Sequence, residues 1–233
     1  MKIKVLHMLE GADQADGLTV IIDVFRAFTL EAYLFAWGAK EVIPVGDLET
    51  AYRLKEEHPD YILIGERHGK ILPGFDFGNS PSTVDPEKIR GHAVVHTTSA
   101  GTQGIAHASG AEEILTGSLV NAKAIAEWII RKRPENVSLV CMGWEGLRNT
   151  EEDELCAEYI QSLIEGQPLA DIAQRAHDLM YTEGKKFFDP LQNDVFPQDD
   201  FGMCIDYDKF DFIIRVEKRD GLFHAEKVSV YEA

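Results

Sequence analysis

Four polar stretches of the chain combine side chains able to do chemistry, and each directly follows an apolar run. The first is Asp23-Val24-Phe25-Arg26-Ala27-Phe28-Thr29, which sets a carboxylate, a guanidinium and a hydroxyl within one strand-to-helix turn. An Asp there can hold a divalent cation or attack phosphorus, and Arg26 can grip an anion through paired hydrogen bonds. The same residues also fit a helix-capping Asp beside a surface Arg, and the loop alone leaves the two even. The second stretch, Gly65-Glu66-Arg67-His68-Gly69-Lys70 continuing to Gly74-Phe75-Asp76-Phe77-Gly78-Asn79-Ser80-Pro81, mixes acid, base and glycine with little apolar content. The third, His96-Thr97-Thr98-Ser99-Ala100-Gly101-Thr102, places hydroxyls and small residues where a helix starts, so free N–H groups and the helix dipole would favour a bound phosphate or sulfonate. Ser and Thr cap helices for structural reasons too, and His96 alone reads as a structural histidine. The fourth runs from Cys141 through Gly143, Trp144, Glu145 and Arg148 to the acidic group Glu151, Glu152, Asp153, Glu154. A carboxylate there, aimed back at the strand ends, would join Asp23 around a magnesium ion.

Several signatures are set aside. Arg67-His68-Gly69 matches the triplet of histidine phosphatases but follows the third candidate strand rather than the first, and three residues carry little information. Cys141 and Arg148 have six residues between them, one more than the phosphate-cradling loop of cysteine phosphatases allows, so Cys141 reads as a buried strand residue. The chain has no G-x-x-x-x-G-K-[ST], no G-x-G-x-x-G, no H-E-x-x-H, and no D-x-D at Asp23.

The elements that must position these loops follow from hydrophobic patterning. Strands are expected at 18–22, 41–45, 61–64, 93–97, 114–116 and 137–142. Helices are expected at 28–39, from Asp47 to about 58, after Gly104 to about 109, from Ser118 to about 131, from a Thr150/Asp153 capping box to 164, and from Pro168 onward. Residues 65–86 read as a functional or disordered loop. Two runs, 210–217 and 222–231, flank an Asp-Gly hairpin signal. The expected architecture is α/β: three-layer α/β/α with a mixed, mainly parallel sheet and a C-terminal antiparallel hairpin. One domain over 1–233 is expected, with room for a small C-terminal subdomain from about 168. In such sheets ligands sit beyond the carboxyl ends of strands, where all four stretches fall.

Composition narrows the partners. A net charge of −17 argues against nucleic acid and against an anionic membrane surface. No run approaches a membrane span, and residues 1–10 lack a signal peptide's apolar stretch, so a cytoplasmic protein is expected. Three scattered cysteines without a C-x-x-C pair suggest reduced thiols. Apolar faces at helical spacing serve core and interface alike, which leaves a homo-oligomer open.

Taken in order, I-I-D-V-F-R-A at 21–27, G-E-R at 65–67 with G-F-D-F-G-N-S-P at 74–81, T-T at 97–98 with G-T at 101–102, G-S-L-V-N-A at 117–122 and E-D-E-L-C-A at 152–157 resemble the 2-phosphosulfolactate phosphatase family. The resemblance implies an α/β/α fold and a Mg²⁺-dependent phosphatase that cleaves the ester of 2-phosphosulfolactate to sulfolactate, a step of coenzyme M biosynthesis. The leading hypothesis places catalysis on Asp23, Arg26, Glu66 and Arg67, and the metal on Asp23 with one or more of Glu66, Asp76 and Asp153. It places the small anionic phosphorylated substrate against Thr29, Asn79, Ser80, Thr97, Thr98, Ser99, Gly101, Thr102 and Asn121. One departure stands out: the family's T-T-N-G-T is here Thr97-Thr98-Ser99-Ala100-Gly101-Thr102, longer by one and without the Asn. A rival reading is a non-catalytic sensor that holds a phosphorylated or sulfonated acid in the same loops.

Overall fold

The computed structural model describes residues 1–232. Ten strands form one mixed sheet: β1 (Lys2–His7), β2 (Gly17–Ile22), β3 (Glu41–Pro44), β4 (Ile62–Arg67), β5 (Lys70–Ile71), β6 (Ala93–Thr97), β7 (Ala111–Gly117), β8 (Asn136–Cys141), β9 (Phe212–Arg219) and β10 (Leu222–Ser229). Helices α1 (Met8–Asp13), α2 (Ala27–Ala36), α3 (Leu48–Glu57), α4 (Pro86–Ile89), α5 (Gly101–His107), α6 (Ala122–Lys132), α7 (Glu151–Ile164), α8 (Ile172–Asp178) and α9 (Gln198–Ile205) connect them. No helix among the described residues is long and apolar enough to cross a membrane.

The strand order is β1-β8-β2-β7-β9-β10-β3-β6-β4-β5. Within β1-β8-β2-β7 and within β3-β6-β4 every pairing is parallel, and the antiparallel β9-β10 hairpin joins the two groups from the middle. Its Asp220-Gly221 loop takes positive φ at both residues (50° and 84°), the mirror-image turn that suits strand twist. The hairpin was legible in sequence; its central position was not, because an Asp-Gly turn fixes a local partner and says nothing of the outer neighbours.

Helix α2 explains the curvature. Every residue from Ala27 to Phe35 is buried, so the helix is enclosed on all sides rather than laid on a surface. Its side chains share one core cluster with Ile21, Val42, Ile64, Val94, Val140, Phe212 and Ile214, which come from strands across the whole sheet. Residues of opposite parity, such as Val20, Ile22 and Leu139, face α6, α7 and α8, while Ile43, Leu63 and Val95 face α3. Helices thus cover both faces. Strands β2 and β6 stand five places apart, ~24 Å at ordinary strand spacing, yet the loops that follow them touch. The sheet curls around α2 and brings the ends of both parallel groups together.

Several local expectations give way. Strand β1, too charged to stand out in sequence, pairs with β8 at the sheet edge. Residues 65–86 are ordered: β4 extends to Arg67, β5 pairs back on it, and Ile64 bridges to Phe77. Pro168 does not open a helix; α8 begins at Ile172. Thr150 precedes α7 without a side-chain cap, and Asp153 turns instead toward the neighbouring strand ends, so no capping box forms. Residues beyond 168 add Ile172, Ala176, Phe187 and Phe201 to the same cluster as β2 and β8.

Candidate active site

The carboxyl ends of β2, β4, β6 and β8 open onto one cleft of about 500 Å³, a volume that includes its mouth. It is lined by Asp23, Phe25, Arg26, Glu66, Gly69, Asn79, residues 98–100 and 143–145, Glu152, Asp153 and Phe196. Four buried carboxylates therefore converge there from three elements, Asp23 after β2, Glu66 near the end of β4, and Glu152 and Asp153 at the start of α7, with the half-buried Glu145 beside them.

Backbone amides hold three of the four. Asp23 accepts from Ala27 N (3.3 Å) and Gly101 N (3.0 Å). Glu66 accepts from Ser99 N (2.8 Å) and Gly69 N (2.7 Å). Asp153 accepts from Val24 N and Gly143 N, both at 2.8 Å. Each acid thus ties one strand-end loop to another, and Asp23 spans the two parallel groups. The approach at Gly101 is close: a Cβ there would lie 2.9 Å from Asp23 Oδ2 and from the Phe28 ring. Glu152 differs, since its buried Oε2 has no partner.

Burial shapes the charges. It pushes the Asp23 carboxyl up to about 6, with the nearby Glu66 charge adding to the effect. It pushes Glu152 up to about 7, a rise moderated by Lys186. Asp153 rises well above the ordinary carboxylate range through burial first, then the charges of Glu152 and Asp23. His96, fully buried and with Nε2 3.1 Å from Asn79 Oδ1, is pushed down to about 4 by burial and is neutral.

The cationic side chains are less obvious. Arg26, 3% exposed, donates Nη1 to Asp200 (2.7 Å) and to Val195 O (2.9 Å), and lies 4.8 Å over the Phe196 ring. Most of its fork is thereby occupied, so it is no free two-pronged clamp. Asp200 is in turn held by Ser80 Oγ and Ser82 N, both at 2.9 Å. Lys186 is the group that sequence reasoning missed. Its Nζ is buried, makes no hydrogen bond, and sits among Trp144 (4.3 Å), Phe196 (5.4 Å), Phe25 (5.5 Å) and Phe187 (5.6 Å). Three of those rings line the cleft, and Glu152 and Asp23 are close enough to pull against the burial that lowers its affinity for a proton. In sequence it is one of two adjacent lysines in a polar stretch, with nothing local to mark it.

Of the residues expected at the site, Asp23, Arg26, Glu66, Asn79, Thr98, Ser99 and Asp153 line the cleft. Others lie behind it. Arg67 points away, donating to Glu66 O (2.6 Å) and Thr97 Oγ1 (3.0 Å). Asp76 accepts from Leu63 N at 2.8 Å and pairs with Lys55, so it is a brace for the 63–77 bridge, remote from the other acids. Thr29 donates to Val24 O (2.8 Å), Ser80 secures Asp200, and Asn121 Oδ1 accepts from Ser118 N (3.0 Å). Thr102 and Thr98 bond each other's backbone amides. The amides of Ser99, Gly101 and Thr102, expected to face a phosphate, are already taken by Glu66, Asp23 and Thr98, so they position acids instead of receiving an anion. Ser99 Oγ, buried and unpartnered, remains available.

The donor set can be tested against a divalent cation. Buried carboxylates that raise one another's proton affinity are the hard oxygen ligands such an ion takes. Their oxygens do not gather in threes within 4.8 Å, but Mg²⁺ keeps several waters and needs only one or two carboxylates. The residues fit.

Residues 5–219 match the family model described as 2-phosphosulpholactate phosphatase. A Bacillus subtilis protein named "Probable 2-phosphosulfolactate phosphatase" is 32% identical over 219 residues, covering 92% of this chain and 91% of its own length. Proteins of the same name from Caldicellulosiruptor saccharolyticus (40% over 183 residues, 74% and 75%) and Caldanaerobacter subterraneus (30% over 225 residues, 91% and 92%) are also similar. The chain therefore belongs to the 2-phosphosulfolactate phosphatase family, whose members are classed as phosphoric monoester hydrolases.

Proposed function

We propose that this protein hydrolyses the phosphate ester of 2-phosphosulfolactate to sulfolactate and phosphate, and that it does so with Mg²⁺ held by Asp23, Glu66 and Asp153, with Glu152 beside them. The observation that carries this reading is the convergence of four buried carboxylates on a single cleft, with one unpartnered buried ammonium behind the aromatic rings of its wall. A magnesium ion there would neutralise the acids and polarise the phosphoryl oxygens.

The protein's own residues supply the rest. The amides of Ala27, Gly69, Ser99, Gly101, Val24 and Gly143 fix the carboxylates, so no reorganisation is needed when charge develops on the transferred group. Arg26 and Lys186 raise the local potential in a protein whose net charge of −17 would otherwise repel a multiply anionic substrate. Ser99 Oγ offers a hydrogen bond to a phosphate or sulfonate oxygen. Phe25, Trp144 and Phe196 reduce water at the ammonium and strengthen its field.

The test is a phosphate-release assay on purified protein with 2-phosphosulfolactate, phosphoglycolate and 2-phosphoglycerate, each with Mg²⁺ and with EDTA. Release from phosphosulfolactate in preference to the others, lost on chelation, is expected. Failure to release phosphate from any of them, while phosphosulfolactate still raises the melting temperature, would make the protein a binder instead.

A further inference from the structure

We propose that His7, Cys141 and Glu154 form a second metal site, distinct from the cleft, which takes a divalent transition metal of the zinc type. Strands β1 and β8 run parallel with His7 directly opposite Cys141, so both side chains leave the same face at the carboxyl ends of neighbouring strands. Glu154, in the first turn of α7, comes over them. His7 Nε2 lies 2.7 Å from Glu154 Oε1, and the imidazole nitrogen, the thiol sulfur and the carboxylate oxygen are all within 4.8 Å of one another. Among the described residues no other set of three is gathered so closely.

The chemistry of the set selects the ion. A nitrogen, a sulfur and an oxygen donor suit Zn²⁺ or Co²⁺, with a fourth tetrahedral position left for water. Mg²⁺ prefers six oxygens and has little use for a thiol. Cys141 is buried while His7 and Glu154 are half-buried, so the sulfur forms the floor and the other two the rim through which an ion enters. Apart from the His7–Glu154 pair, none of the three side chains has another hydrogen-bond partner among the described residues. Binding forms a metal–sulfur bond and sends the thiol proton to solvent. Glu154 directly follows Asp153, and Cys141 lies two residues before Gly143, whose amide holds Asp153, so an ion here sits one covalent step from the cleft.

The experiment is a Co²⁺ titration of the purified chain in saturating Mg²⁺, followed by absorbance. Expected are one tight equivalent and a thiolate-to-cobalt charge-transfer band in the near ultraviolet, displaced by Zn²⁺. Cys141→Ser should abolish the band, and His7→Ala should weaken binding at least about tenfold. If Cys141→Ser compromises folding, His7→Ala, at a half-buried position and checked by its metal-free melting temperature, decides the question alone. Absence of a thiolate band in the parent chain, or equal affinity in a folded His7→Ala variant, would overturn the proposal. Because Mg²⁺ occupies the cleft throughout, these outcomes are independent of whether the cleft hydrolyses phosphosulfolactate.

Discussion

The buried acids of the cleft and Glu31, in the middle of α2, face the same physical problem and answer it differently. Asp23, Glu66 and Asp153 each accept two backbone N–H groups, and Asp23 also feels the Lys186 charge. Glu31 is fully buried with neither oxygen partnered, and the adjacent Thr116 hydroxyl is unpartnered too. Burial alone pushes Glu31 up to about 8, so at neutral pH it carries a proton and behaves as a polar filler. Amide donors thus hold three carboxylates of the cleft ready for an ion, where Glu31 has none.

That contrast can be broken at either end. The largest effect is expected from Asp23→Asn: only one of its two amide contacts can be kept, the charge is gone, and phosphate release should fall about 1000-fold. Borohydride reduction of parent protein quenched during turnover, read by mass spectrometry of the peptide containing Asp23, sharpens the role: homoserine at position 23 identifies an acyl-phosphate and so a nucleophile, an unchanged aspartate a ligand. Asp153→Asn should follow, with a fall of about 100-fold, because an amide can accept from only one of Val24 N and Gly143 N and must turn its own N–H₂ toward the other. A matching loss of melting temperature is expected. Lys186→Met should raise KM about tenfold while leaving or even raising thermal stability, since it removes a buried charge that no protein group satisfies. A fall in stability without a change in KM would make that lysine a structural element.

The smallest effect is confined to stability. Glu31 has a folded value of about 8, above its ordinary 4.5. Its contribution to stability is therefore whole below about pH 4.5 and is lost as pH rises through the interval to about 8. Glu31→Gln should match the parent near pH 4.5 and exceed it at pH 8 by about 5 °C in a melting scan, with phosphate release unchanged. Equal melting temperatures at both pH values would mean that Glu31 finds a partner.

Much of this was written in local pattern. The apolar run before Asp23, the strand before Gly65 and the strand before Thr98 announced where three loops of the cleft begin, because a strand end and the residue after it are adjacent in sequence and in space. The acids at the start of α7 were legible as a group, though not which of them turn inward: Asp153 and Glu152 face the cleft, while Glu154 faces His7. Arg67 and Asp76 carry the right chemistry in the right loop and point elsewhere, since orientation is set by the β4–β5 pairing and the Ile64–Phe77 bridge. Lys186 was hidden because its aromatic surroundings come from Phe25, Trp144, Phe187 and Phe196, positions scattered along the chain.

The hairpin at the centre of the sheet also bears on how the molecule is made. A ribosome delivers both parallel groups well before residues 212–229, and until then β7 and β3 present open edges able to recruit strands from other chains. Strands β9 and β10 emerge after both groups and close those edges, standing between the groups whose loops meet at Asp23 and Gly101. Nascent chains of this protein should therefore remain inactive until residues 212–229 have left the exit tunnel.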